Sequence, residues 1–220
     1  MNKFFFALLS CCYFTATQAQ INELGFFVGG SNFIGDVGST TYINPNSPAI
    51  GLVYKWNKTP RHSWRFSYTQ TKLKGNDKNS DDFQRRNRNL SFQNNIKEFS
   101  GGIEFNFFDF DLNKKLDKKV SPYFFTGLSF LLFKKINYSG SLSQPTLKNF
   151  AIPLIIGVKS NLTSNFVLGF EIGTRYSFTD DLDGNLTSFN LGNVYNKDWY
   201  VFSGITLSYM FGTKPCFCAE

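Results

Sequence analysis

The chain has 220 residues, a formal net charge of +7 and an aromatic share of 18%, with 27 phenylalanines. A charged share of only 18% beside so many aromatics excludes a disordered chain, because there is ample apolar surface to bury. No apolar run of about 18 residues or more exists to cross a bilayer as a helix, and nothing beyond the net charge points to nucleic acid.

The first twenty residues read as a secretory leader. Lys3 is the positive n-region, an apolar stretch begins at Phe4, and Thr17-Gln18-Ala19 places small residues at a cleavage position. Cleavage after Ala19 divides the chain into a signal peptide (1–19), a barrel (20–213) and a tail (214–220). A competing lipoprotein-type cut before Cys11 has only a short apolar stretch ahead of it. Export leaves Cys216 and Cys218, too few for a disulfide framework.

The mature sequence alternates with period two in nearly every segment. Eight strands are expected near 23–31, 48–56, 63–71, 98–107, 121–133, 149–159, 166–178 and 199–212. In the fourth, Phe99, Ile103, Phe105 and Phe107 share one face, and Glu98, Ser100, Glu104 and Asn106 the other. Pro153 interrupts the sixth, where a bulge is expected. Connections alternate between long (32–47, 72–95, 134–148, 180–198) and shorter (57–62, 109–120, 161–163). That is the pattern of an up-and-down membrane barrel with long outer loops and short periplasmic turns. An even strand count places both chain ends in the periplasm.

Alternation alone does not say which face looks outward. The polar stripe is rich in Gly and Ser, which suits a narrow eight-stranded interior. It also carries charges of both signs, Arg65, Glu98, Glu104, Glu171 and Arg175, which pair inside a closed barrel. Tyr54, Trp56, Tyr68, Trp199, Tyr200 and Tyr209 fall near strand ends, where aromatic girdles sit. The expected fold is therefore all-β: an eight-stranded antiparallel transmembrane β-barrel with the Phe stripe facing lipid. A lumen filled with side chains is not a wide channel, and its charges read as structural ion pairs rather than an ion path.

Several stretches carry a family resemblance: Gly29-Gly-Ser-Asn-Phe-Ile-Gly-Asp36, Tyr42-Ile-Asn-Pro-Asn46, Arg85-Arg-Asn-Arg-Asn-Leu-Ser-Phe92, Glu104-Phe-Asn-Phe-Phe108, 169–180, 198–207 and Lys214-Pro-Cys-Phe-Cys218. Together they resemble the PorG-like outer-membrane barrels of Bacteroidota, whose domain is often described only as one of unknown function. The resemblance implies an accessory of the type IX secretion system, which also serves gliding motility in some species. It implies contact with a periplasmic ring built from a lipoprotein and a partner subunit, and no part in forming the translocating pore. The alternative is a stand-alone structural or adhesive barrel acting through its outer loops.

A periplasmic partner would meet the 109–120 connection or the tail. The connection sets Asp109, Asp111 and Asp117 against Lys114, Lys115, Lys118 and Lys119, a mixed surface suited to complementary docking; its plain alternative is a solvated turn. The tail offers Lys214, Cys216 and Cys218. Two thiols are too few for a metal site and a bridge across one residue is strained; the readings left open are a partner-linked disulfide and, as the plain alternative, two tail thiols or a local bridge with no role. In the outer loops Arg85, Arg86 and Arg88 form a basic cluster that lipopolysaccharide could meet, partly offset by Asp77, Asp81 and Asp82. The 180–185 run is read as an Asx-rich turn rather than a calcium loop, lacking the spacing and closing Glu. No cofactor is expected. The single histidine, His62, lies in a short turn and no nucleophile motif appears, so no enzyme is expected.

Overall fold

The computed structural model describes residues 21–39, 41–110, 119–134, 145–179, 181–184 and 197–212. Eight antiparallel strands run in chain order: β1 Ile21–Ile34, β2 Ser47–Asn57, β3 His62–Asn76, β4 Ser91–Asn106, β5 Val120–Lys134, β6 Thr146–Asn161, β7 Phe166–Ser177 and β8 Trp199–Phe211. Each pairs with its sequence neighbour, and β1 closes on β8 from Asn22↔Phe211 to Ile34↔Trp199. Closure leaves no open sheet edge, the condition for a sheet to stand in lipid. Between β3 and β4 lie a 3-10 turn, Asp77–Asn79, and a six-residue helix α1, Phe83–Arg88. All four long connections leave one end of the barrel, called here the long-loop end; the other is the short-turn end.

The period-two pattern has the orientation expected for a membrane barrel. Phe26, Ile50, Phe66, Phe99, Leu128, Ile156, Phe170 and Ile205 stand exposed on the outside, while Arg65, Glu98, Glu104 and Glu171 are buried within. A soluble barrel would invert these faces; a hydrocarbon surround makes the apolar exterior the stable one. Ile205 sits mid-strand and Phe211 at the strand end. Ile205→Arg is therefore expected to cost roughly 2–4 kcal/mol and Phe211→Arg about 0–1 kcal/mol, read by urea unfolding in lipid vesicles. Equal costs at both sites would contradict this placement of the membrane.

Two seams of the barrel bring glycines face to face, Gly29↔Gly204 across β1–β8 and Gly102↔Gly127 across β4–β5. A Cβ on Gly29 would stand 2.2 Å from the Ser203 carbonyl oxygen, and one on Gly102 2.1 Å from that of Thr126. No side chain fits, so the strands approach and coil there. The buried Phe27 ring covers the first pair from inside, as aromatic residues often do over strand glycines.

Three expectations are corrected. Pro153 needs no bulge: β6 keeps one register against β5 on both sides of it, Thr126↔Leu154 and Ser129↔Ala151, while its β7 ladder is continuous through Pro153↔Arg175. The missing N–H leaves a gap on the β5 side only. The 72–95 connection is shorter than expected, because β3 and β4 pair as far as Asn76↔Ser91. Lys72 and Lys74 look like loop residues, yet they point outward above the lipid while Leu73 points in. Tyr200 is no girdle residue; it is fully buried. Tyr54 and Tyr209 remain on the outer surface, and Trp56, Tyr68 and Trp199 are half-buried there.

Candidate functional site

The lumen holds the first concentration of chemistry. Within the strands, Glu23, Glu98, Glu104 and Glu171 are buried together with Lys55, Arg65, Lys159 and Arg175, four charges of each sign. The sequence reading found five of these and missed Glu23, Lys55 and Lys159. Their inward parity was visible, but long lysines near strand ends look solvated until the short-turn end is seen to close.

Toward that end, Glu104 accepts from Lys55 Nζ at 2.8 Å, Lys159 Nζ at 2.7 Å and Arg65 Nη1 at 3.4 Å. Arg65 also holds Glu171 through two bonds of 2.9 Å, and Tyr123 donates its hydroxyl to the same carboxylate at 2.6 Å. Gly157 makes this possible: it lies opposite Tyr123, and the ring occupies the space a Cβ would need. Higher in the barrel, Glu98 accepts from Tyr200 at 2.6 Å, Ser100 at 2.7 Å and Arg175 at 3.4 Å. The Arg175 guanidinium lies 4.2 Å from the centre of the Phe202 ring. The opposite charges pair with one another inside the barrel, which is the arrangement buried ion pairs need for their own stability.

Apolar groups close both ends of this network. At the short-turn end Phe110 packs with Ile21, Val167 and Met210, and Lys159 Nζ sits 5.0 Å from its ring. At the long-loop end Leu73, Phe92, Ile96, Leu131 and Phe133 meet Val37 and Leu182, which descend from the loops. Asn94 secures Leu182 by donating to its carbonyl and to that of Lys134, both at 2.9 Å.

Above the mouth, Asp77 is the hub of the loops. Its fully buried carboxylate accepts from Gly38 N at 2.9 Å, Leu90 N at 3.1 Å and Arg88 Nε at 2.8 Å. Arg88 also donates to the Asp36 carbonyl, and Arg85 to those of Gly35 and Gly38. The basic cluster read from sequence is thus mostly internal: Arg85 and Arg88 are half-buried loop clamps, and Arg86 alone is exposed, bonded to the Ser80 and Asp81 carbonyls. Burial pushes the Asp77 carboxyl up, but the Arg88 guanidinium and the two amides outweigh it and hold it below its ordinary value. A depressed carboxylate stabilises in full above the unfolded value of about 3.9 and loses that contribution as pH falls through the folded value. Proteolysis of the 77–90 loop is therefore expected to stay flat from pH 8 to 5 and to rise only in stronger acid.

At the short-turn end Asp109 is exposed and paired with Arg61, which raises the guanidinium and lowers the carboxyl from their ordinary values. Lys119 is half-buried, its backbone amide bonded to Asn161 Oδ1. Of the other expected partner-binding residues, Asp111, Lys114, Lys115, Asp117 and Lys118 lie outside the described residues, as do Lys214, Cys216, Cys218 and the leader. In the 180–185 run, Gly184 N bonds the Asp181 carbonyl and Leu182 is buried, a folded turn. No group of His, Cys, Asp or Glu suited to a metal occurs among the described residues.

A family model described as a domain of unknown function, DUF6089, matches residues 2–220. The chain belongs to the DUF6089 family. No curated protein matches this sequence. Among solved structures, the barrel is similar to Ail of Yersinia pestis in complex with the heparin analogue sucrose octasulfate: TM-score 0.50, 14% identity, covering 88% of this chain and 100% of that one. It is likewise similar to Neisserial surface protein A: TM-score 0.50, 11% identity, 90% of this chain and 98% of that one. At such identities the likeness concerns the fold. This DUF6089 chain is a small eight-stranded barrel of the outer-membrane type.

Proposed function

We propose that this barrel is a non-catalytic, non-conducting anchor in the outer membrane that works through its outer loop surface, as a structural or adhesive protein with both chain ends in the periplasm. The observation that carries the reading is the lumen filled with four charges of each sign, capped at both ends by buried apolar clusters and crowned by loops clamped on Asp77. A protein whose interior is filled has only its two end surfaces and its lipid face with which to act, and clamped loops present a preorganised surface at lower entropic cost. In planar bilayers the purified protein is expected to show no steady conductance; stable ion channels would overturn the anchor reading. Exposed Arg86 remains available for lipopolysaccharide.

A second reading is the accessory role in type IX secretion implied by the PorG-like resemblance, in which the barrel tethers a periplasmic ring lipoprotein and its partner subunit. The observation favouring it is a built short-turn end: Arg61 bonds Asp109, and Phe110 is seated under the lumen with its amide on the Pro60 carbonyl. Mild-detergent pull-down of a loop-tagged copy, with cross-linking and mass spectrometry, separates the two. Outer-surface material cross-linked near 35–46 or 77–90 supports the first. Recovery of the ring lipoprotein, cross-linked at Lys114–Lys119 or Lys214, replaces it with the second.

A further inference from the structure

Charge is divided unevenly between the two faces of the barrel wall. The inward face holds both signs. The outward face of the eight strands holds Lys72, Lys74, Lys97, Lys134 and Lys148, and no Asp, Glu or Arg. All five lysines are exposed, and all lie at the long-loop ends of four adjacent strands, β3 to β6. At the same end β7 and β8 turn Tyr176 and Trp199 outward instead, with ring centroids 5.0 Å apart.

Strand register arranges four of the lysines as a zigzag. Gln70↔Lys97, Lys97↔Leu132 and Leu132↔Lys148 form one row, and Lys72↔Asn95 and Lys134↔Thr146 stand in the next row above it. Lys72, Lys97, Lys134 and Lys148 are therefore diagonal neighbours in turn, about 7–8 Å apart. Among the described residues none of them pairs with a carboxylate. The 135–145 segment joining Lys134 to β6 contains no Asp or Glu. Like charges at this spacing repel one another, so the cluster is completed by an anion from outside the chain.

The residues beneath identify where that anion comes from. One row lower, Tyr68↔Phe99, Phe99↔Phe130 and Phe130↔Phe150 make a continuous line of outward rings. Their centroids are 4.7 Å apart in the first pair and 5.5 Å in the last. Such rows sit where hydrocarbon meets headgroups. A lysine just above spans the apolar border with its stem and reaches the phosphates with its ammonium. A soluble polyanion would have no use for the rings, and an uncharged lipid none for the lysines.

We propose that the β3–β6 face docks a phosphorylated lipid of the outer leaflet, of the lipid A class. Its phosphates lie on the lysine zigzag and its acyl chains on the aromatic row. This goes beyond the loop-surface reading and rests on it only for the leaflet, because the long-loop end then faces outward.

The test is native mass spectrometry of the full chain in zwitterionic detergent micelles, titrated with diphosphoryl lipid A. The same lipid freed of phosphate and inorganic phosphate serve as the other two probes. Diphosphoryl lipid A is expected to stay bound, and the two other probes to bind at least about tenfold more weakly. Each lysine near a headgroup contributes roughly fivefold in affinity, so Lys97→Gln/Lys134→Gln should weaken binding about tenfold to thirtyfold. Lys58→Gln/Lys197→Gln removes the same charge from exposed positions outside the zigzag and should leave binding intact. All four substitutions are at exposed residues, and heat-modifiable migration verifies that each variant is folded. Unchanged binding in Lys97→Gln/Lys134→Gln, or an equal loss in Lys58→Gln/Lys197→Gln, overturns the docking face. Equal binding of the phosphate-free lipid or of inorganic phosphate overturns its assignment to a phosphorylated lipid. Labelling of Asn79→Cys by an impermeant maleimide on intact cells reads the orientation separately. A protected Asn79→Cys sinks the outer-surface reading and the leaflet even where lipid A binding holds.

Discussion

Glu104→Gln is expected to destabilise the folded barrel by about 3–5 kcal/mol, the cost of breaking a buried ion pair from one side. The Glu104 carboxylate is fully enclosed and receives Lys55, Lys159 and Arg65. Glutamine keeps the volume but removes the charge, so three buried cations are left facing Glu171 and Glu23 alone. Breaking a pair in this way leaves an uncompensated charge, whereas removing both partners does not. Lys159→Met in the same chain should therefore return a substantial part of the loss, and Glu104→Gln/Lys159→Met should be more stable than Glu104→Gln. Urea unfolding in phospholipid vesicles, followed by tryptophan fluorescence, measures both. A Glu104→Gln penalty under about 1 kcal/mol would mean that the lumen is hydrated and screened, contrary to the closed ends described above.

Asp77→Ala is expected to act on the loops and leave the barrel standing. The substitution removes the acceptor of Gly38 N, Leu90 N and Arg88 in one step, leaving two amides and a guanidinium to find water. Charge-assisted bonds of this kind contribute about 1.5–3 kcal/mol each. Opening of the loops should become easier by roughly 2–4 kcal/mol. Tryptic cleavage at Arg85, Arg86 and Arg88 should then rise about thirty- to a thousandfold where it follows the open population. Heat-modifiable migration of the folded barrel should be unchanged, because β3 and β4 pair independently of the carboxylate from His62↔Phe105 to Asn76↔Ser91. Unchanged cleavage would show that Arg85, through the Gly35 and Gly38 carbonyls, holds the loops without Asp77.

The two sites differ in how far they could be read from sequence. Arg65, Glu98, Glu104, Glu171 and Arg175 were identifiable as lumen residues because a strand's side-chain period is two, and one apolar neighbour fixes the parity of every other residue. Tyr200 obeys the same parity, although its type and its place near a strand end suggest a girdle. Its position opposite Arg175, with a hydroxyl 2.6 Å from Glu98, shows parity to be the stronger guide. The Asp77 hub was not legible: Gly38, Asp77, Arg88 and Leu90 come from two loops, and composition made Arg85 and Arg88 look like a free basic face. Loops follow no period, so their partners appear only when the chain is folded.

Alternation, strand length and the order of long and short connections were enough to set the class and the strand count, which follow from local geometry: two residues per pleat, a bilayer of fixed thickness and turns that are short on one side. The face that meets lipid followed from composition, because small residues and charges of both signs share one stripe and only a closed interior pairs them. Tertiary structure decided which charges pair, that Pro153 needs no bulge, that buried apolar clusters cap the lumen at both ends, and that two loops meet on Asp77. Each of these depends on strand register and on loops meeting across the barrel, distances that no periodicity along one chain encodes.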